Sequence, residues 1–193
     1  MASRTSSKRR MIMCLCFTIL GLLIVGGVCV FITWLVLRPH EPRYYVEHAS
    51  YPELSFTDKI LNSRMVLNLT TRNPNRRIGI YYYKMEGYIY YGDQRIAGAD
   101  IGPFYQGHKV VRVLQPTFTA HSVILNEDSA RDLKLENSAG TLQLKLKLYA
   151  QVRFKVGRWK SRHYHMKVKC DNLNVDKNKG GNSFDHRKCS VHF

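Results

Sequence analysis

No charged side chain occurs between Met11 and Leu37, and no acidic one occurs before Glu41. An uncharged run of this kind has no polar face, so it does not read as a surface helix of a soluble domain. Catalytic signatures are missing as well. There is no G-x-S-x-G, no phosphate loop and no G-x-G-x-x-G in the 193 residues, so neither an enzyme nor a cofactor is expected. The terminal "CSVHF" has no apolar tail and no prenylation pattern, and Ala2 rather than Gly follows Met1. Glycosyl-phosphatidylinositol, prenyl and myristoyl anchors are therefore not expected.

What is present is strongly basic: 30 Lys and Arg against 14 Asp and Glu. The run from Met11 to Leu37, "MIMCLCFTILGLLIVGGVCVFITWLVL", makes a helix of roughly 40 Å, enough to cross a bilayer core of about 30 Å with tilt to spare. A cleaved secretory signal is the competing reading. Its apolar region is about 7–15 residues, and here apolar sequence continues beyond "VGGVC". An uncleaved signal anchor is expected. Arg4, Lys8, Arg9 and Arg10 precede the run; Arg38 and Arg43 follow it. Positive-inside bias then puts residues 1–10 in the cytosol as a basic tail and residues 38–193 on the far side.

Three features bear on that topology. "NLT" at Asn68 is the chain's one N-x-S/T sequon, and alternation in "MVLNLTT" turns Asn68 outward with Val66 and Thr70. It is either a glycan site or an unused surface asparagine. Cys170 and Cys189 are an even pair in the translocated part, bridged in an oxidising compartment or else two buried thiols. Cys14 and Cys16 lie at the cytosolic edge of the run, as palmitoylation sites or as plain apolar residues of the span.

Beyond the run, residues 38–53, "RPHEPRYYVEHASYPE", read as an extended linker, and residues 54–193 as the folded domain. Period-two alternation dominates there. In "TLQLKLKLYAQVRFK", Leu142, Leu144, Leu146, Leu148, Ala150, Val152 and Phe154 face one way; Gln143, Lys145, Lys147, Gln151, Arg153 and Lys155 face the other. "VGRWKS" turns the chain, and "RHYHMKVKC" returns with Tyr164, Met166, Val168 and Cys170 inward and His163, His165, Lys167 and Lys169 outward. Strands are also expected at 54–58, 65–71, 85–91, 109–117 and near Cys189, with a short helix at "NEDSARDLKLEN". This pattern of short strands predicts an all-β sandwich preceded by one transmembrane helix.

The blocks "LTTRNPNRRIGIYYY", "YYGDQRIAGADIGPFYQG" and "CDNL…KCSVHF", behind a basic tail and one span, resemble the plant harpin-induced and non-race-specific disease-resistance proteins. The resemblance runs from about Arg9 to Phe193. It implies a group-two late-embryogenesis-abundant domain with a fibronectin-III-like β-sandwich, and a plasma-membrane protein of plant defence signalling. Asn68 matches the family's asparagine in the strand before Asn73-Pro74-Asn75. The Asn-Gly-Asp sequence of some relatives is absent, so adhesion through that motif is not implied. Asn73 and Asn75 read as turn-closing, structural residues.

Functional readings narrow to surfaces. His163 and His165 share one side of a strand without a companion carboxylate or cysteine, so no metal is expected there. "DKNKGG" at 176–181 lacks the glutamate a calcium loop needs, Arg187 standing in that place. Lys145, Lys147, Arg153, Lys155, Lys167 and Lys169 form a cationic face, for acidic polysaccharide or anionic lipid, or else as a solvated face that keeps the domain soluble. Nucleic acid is not expected outside the cytosol. Other membrane or defence proteins are expected partners, and a lipid-handling sandwich with an apolar cavity is the alternative.

Overall fold

The computed structural model describes residues 3–36, 39–57, 59–176 and 182–193. They fall into two compact units, residues 1–38 and residues 39–193.

The first unit is one helix, α1 (Ser3–Val36). Within it, Ile12–Phe31 is apolar and exposed on every side. Its length, about 30 Å at 1.5 Å per residue, matches a bilayer core. The Thr18 hydroxyl donates to the Leu15 carbonyl at 2.8 Å, so this polar group is satisfied inside the helix, as an apolar medium requires.

The second unit is antiparallel β-structure. Its strands are β1 (Arg43–Thr57), β2 (Ile60–Arg72), β3 (Ile78–Tyr91), β4 (Gln94–Ile101), β5 (Phe104–Gln106), β6 (Val111–Leu114) and β7 (Thr117–Ile124), followed after a helix by β8 (Thr141–Val156), β9 (Trp159–Lys160), β10 (Tyr164–Asp176), β11 (Asn182–Lys188) and β12 (Ser190–His192). Neighbours run β11-β1-β2-β7-β4-β3-β8-β10-β12. Only Gly98 and Thr119 pair between β4 and β7, so the path divides into two sheets joined at that corner. The other side is closed by the chain's end. β11 pairs with β1, and β12, two residues on, pairs with β10. At the crossing, the Cys189 N–H donates to the Tyr44 carbonyl at 2.9 Å, while its sulfur is bonded to Cys170. The expected bridge is present, and it ties the two sheets together.

Between the sheets lies one core. Val46, Leu61, Met65, Leu67 and Leu69 come from β1 and β2, Phe118 from β7, and Ile80, Tyr82, Ile89, Leu146, Leu148 and Val168 from the opposite sheet, all nearly or wholly buried. A Cβ at Gly87 would stand 2.8 Å from the Phe118 ring, so only glycine lets that ring reach β3. The expected short helix is α2 (Glu127–Ala139). Asn126 caps it by accepting the Ser129 N–H at 2.8 Å, and Gly140, with φ 78°, ends it. Ala130 and Leu133 are its buried residues.

Three sequence expectations need correction. The stretch expected as a linker, 38–53, is outside regular structure only at residues 39–42; from Arg43 it is paired along β2. Pro52 is tolerated because the register slips between Ser50 and Glu53. The expected strand at 109–117 is two, since Gln115 and Pro116 break it. Both pieces pair with β2, and the Pro116 carbonyl accepts the Leu67 N–H at 3.3 Å. Thr70 is not solvent-facing: flanked by Tyr45 and Val113 on the neighbouring strands, it is buried.

Burial pushes the Tyr82 phenol up to about 12 and the Tyr44 phenol well above its usual range. In the unfolded chain both ionise near 10. The unfolded state therefore sheds protons that the native state keeps between pH 10 and about 12, and stability falls across that window. Thermal unfolding should show a Tm that drops as pH rises above 10, with a shallower drop in Tyr82→Phe. A flat profile would contradict the burial of these hydroxyls.

Candidate functional site

The outer face of the β3–β8–β10 sheet collects most of the domain's organised charge. Alternation along β8 buries Leu142 through Phe154 at even positions and turns the odd ones out, as expected. Antiparallel register then sets their neighbours. Lys147 lies opposite Lys169 of β10 and Tyr88 of β3; Tyr149 opposite Lys167 and Glu86; Arg153 opposite Tyr81; Lys155 opposite Gly79; Lys145 opposite Tyr90. All six cations of the expected face are on it.

Sequence reasoning missed the tyrosines between them. Lys147 Nζ stands 4.0 Å over the Tyr90 ring, Lys167 Nζ 5.2 Å over Tyr149, Lys160 Nζ 4.7 Å over Tyr81 and the Arg95 guanidinium 4.9 Å over Tyr88. Lys155 is within 6 Å of both Tyr81 and Tyr105. Each such contact contributes about 0.5–1 kcal/mol at exposed sites and fixes where the charge sits. The Tyr105 ring packs against Gly79, where any Cβ would overlap it. A signal was available: Tyr149 holds an odd position in β8, and Tyr81, Tyr88 and Tyr90 alternate with buried residues in β3.

Few carboxylates oppose these cations. Asp93 reaches Lys145 at 3.8 Å. Glu86 pairs with Lys84 at 2.5 Å and accepts the Tyr88 hydroxyl at 2.9 Å. The Lys84 ammonium and that hydroxyl hold the Glu86 carboxyl below its usual range. Lys147, Arg153, Lys155, Lys167 and Lys169 form no ion pair with a described carboxylate. One end of the face deepens into a cleft of about 440 Å³ lined by Glu86, Tyr149, His165, Lys167, His192 and Phe193.

The remaining predicted residues lie elsewhere. Asn68 is half-exposed on β2, opposite His48. Cys14 and Cys16 are exposed thiols on α1. His163 and His165 are exposed on the cationic side, His163 against the Tyr83 ring at 5.2 Å. Among the described residues no three His, Cys, Asp or Glu side chains are grouped to hold a metal. Residues 177–181 of the rejected calcium-like stretch lie outside the described residues.

The asparagine block is structural. Asn73 Nδ2 donates to the Ile78 and Gly107 carbonyls at 2.8 and 2.9 Å, and Asn73 Oδ1 accepts the backbone and side-chain N–H groups of Asn75. Asn75 in turn clasps His40: its Oδ1 accepts the His40 N–H and its Nδ2 donates to the His40 carbonyl, both at 2.8 Å.

The described residues thus comprise one long apolar helix and a disulfide-closed antiparallel β-domain whose outer face is cationic and lined with tyrosines. Residues 68–170 match the model of the family described as late embryogenesis abundant protein. The chain is 39% identical over 160 residues to NDR1/HIN1-like protein 10 of Arabidopsis thaliana, covering 81% of this chain and 70% of that one. It is 37% identical to NDR1/HIN1-like proteins 2 and 3 of the same plant, covering 82% and 86% of this chain and 68% and 74% of theirs. The chain belongs to this NDR1/HIN1-like family, with its late-embryogenesis-abundant domain.

Proposed function

We propose that the protein is a non-enzymatic interaction module of plant defence and stress responses, held in the plasma membrane by α1. Residues 1–10 are cytosolic and the β-domain is outside. The fully exposed apolar helix, the basic residues before it and the Cys170–Cys189 bond support this reading. On it, Asn68 carries a glycan and Cys14 and Cys16 are available for palmitoylation.

The outer face of β3–β8–β10 is the binding surface, and its ligand is an acidic polysaccharide. The observation that carries this is the alternation of cations with tyrosine rings in fixed pairs, such as Lys147 over Tyr90. Carboxylates of a uronate chain meet the ammonium groups, while the rings offer flat apolar surfaces to the sugars. An extended sheet suits an extended polymer better than a headgroup. The lipid-handling alternative finds less support, since Tyr44, Tyr82 and Phe118 fill space between the sheets.

The test is a titration of the full chain, in nanodiscs, with polygalacturonate. Affinity should fall steeply with salt, because screening shortens from about 10 Å at 0.1 M to about 3 Å at 1 M. Lys147→Glu with Lys169→Glu should weaken binding at least tenfold, and a neutral glucan should not bind. Salt-independent affinity, or an unchanged double variant, would remove this surface from the proposal.

A further inference from the structure

The end of the β-domain where the chain enters it has a different character from the tyrosine face. Leu37 closes the apolar run and His40 is already gripped by Asn75. Three residues of chain span at most about 10 Å. The Asn75 carbonyl accepts the Lys109 N–H at 3.1 Å, and the Asn73 N–H donates to the Val110 carbonyl at 3.1 Å. The 107–111 turn is therefore tied to the same asparagine pair that holds His40. Lys109 adopts a left-handed backbone there, φ 57°, an uncommon conformation for a residue with a side chain. Just beyond it, Val110 and Val111 are 44% and 54% exposed.

Around this turn all the exposed charges but Glu41 are positive. Arg43, Arg72 and Val111 stand in one row across β1, β2 and β6. Arg76, Arg77 and Lys109 are exposed beside the asparagine block. In the segments 39–43, 72–77 and 107–113, Glu41 is the one acidic residue. None of these cations is in an ion pair with a described carboxylate.

We infer that this rim is a second membrane-binding site: Arg72, Arg76, Arg77 and Lys109 bind anionic headgroups while Val110 and Val111 enter the apolar margin of the bilayer that α1 crosses. The inference rests on the anchoring reading above. For a chain anchored by α1, docking of this rim is intramolecular, so modest contacts suffice. A Lys or Arg near an anionic surface contributes about fivefold in occupancy.

The experiment uses the full chain in nanodiscs of phosphatidylcholine, with or without phosphatidylserine, containing lipids brominated on their acyl chains. An environment-sensitive dye is placed at one of three positions: native Cys29 in α1, Val111→Cys, or Asp93→Cys at the opposite end of β3. The other cysteines of α1 are changed to serine. The expected result is quenching at position 29 in both lipids, quenching at 111 only with phosphatidylserine, and none at 93. Arg76→Glu with Arg77→Glu should lower the docked-to-free ratio at 111 by about twenty-fivefold or more. If 29 is quenched and 111 behaves like 93, the rim inference is wrong while anchoring stands. If 111 is quenched equally without anionic lipid or in the charge-reversed variant, the headgroup site is wrong. If 29 is not quenched, the anchoring reading fails and this inference falls with it.

Discussion

Cys189→Ser is expected to destabilise the β-domain by about 3 kcal/mol, the chain-entropy cost of freeing a loop with a 19-residue separation. For a chain of this size that corresponds to a Tm lower by roughly 6–12 °C. The position of the bond makes the effect specific. Cys189 holds β1 through its N–H on the Tyr44 carbonyl and holds β10 through its sulfur. Without the sulfur link, the last residues stay on the second sheet through the short β12 ladder from Lys167 to Lys169 and through the Phe193 ring against Phe154 and Tyr164. Hydrogen exchange should therefore rise first at Val191 and His192 and at Val168 opposite them, while the β3–β8 ladder stays protected. Uniform loss of protection would mean that the bond stabilises no local closure. The same residues report topology. Alkylation of intact cells, then reduction and a second label, should find Cys170 and Cys189 oxidised and Cys14, Cys16 and Cys29 reduced. Five reduced thiols would place the domain in a reducing compartment and remove the outward orientation from the proposed function.

The parts of this fold that could be read from the sequence are those set by local alternation. β8 and the first half of β10 keep strict period two, so their core face and their cationic face were both legible. The reading fails where the period slips. In β3 the register shifts between Tyr82 and Lys84, so Tyr82 and Met85 are both buried and no single alternation covers the strand. In β10 a shift after Cys170, with Asn172 at φ 57°, brings Leu173 and Val175 inward against the earlier phase. β1 was hidden by its prolines, because Pro42 and Pro52 flank or interrupt a stretch that pairs only through a slip. The tyrosine partners of the cationic face depend on cross-strand register. That is a long-range quantity: nothing local in "YYYKMEGYIYY" says that Tyr90 will sit beneath Lys147. The disulfide was legible as a pair, but its place at the crossing between two sheets was not, since that follows from the ends of the sheet path.

Asn73→Asp is expected to be among the most damaging single-atom changes available to this chain. The side chain is fully buried, and its amide nitrogen donates to two carbonyls that come from different segments, Ile78 and Gly107. Replacing that nitrogen by a carboxylate oxygen turns both contacts into repulsions and takes a donor from each carbonyl, the Gly107 one keeping the Val110 N–H at 3.4 Å. Each lost partner costs about 1–3 kcal/mol, and burying the charge adds to that. The carboxyl would escape part of the cost by staying protonated, so the penalty should grow as pH rises above the ordinary aspartate range. Asn73→Ala removes the donors without adding charge and should cost about 2–5 kcal/mol, without that added pH dependence. The comparison separates a structural network from a ligand site. If Asn73 and Asn75 hold His40 and the 107–110 turn in place, either variant should lower Tm and loosen exchange at His40, Lys109 and Val110 together. The domain's affinity for any polyanion would then follow its folded fraction. A variant that kept full stability while losing a binding activity would show instead that the asparagine block faces a ligand.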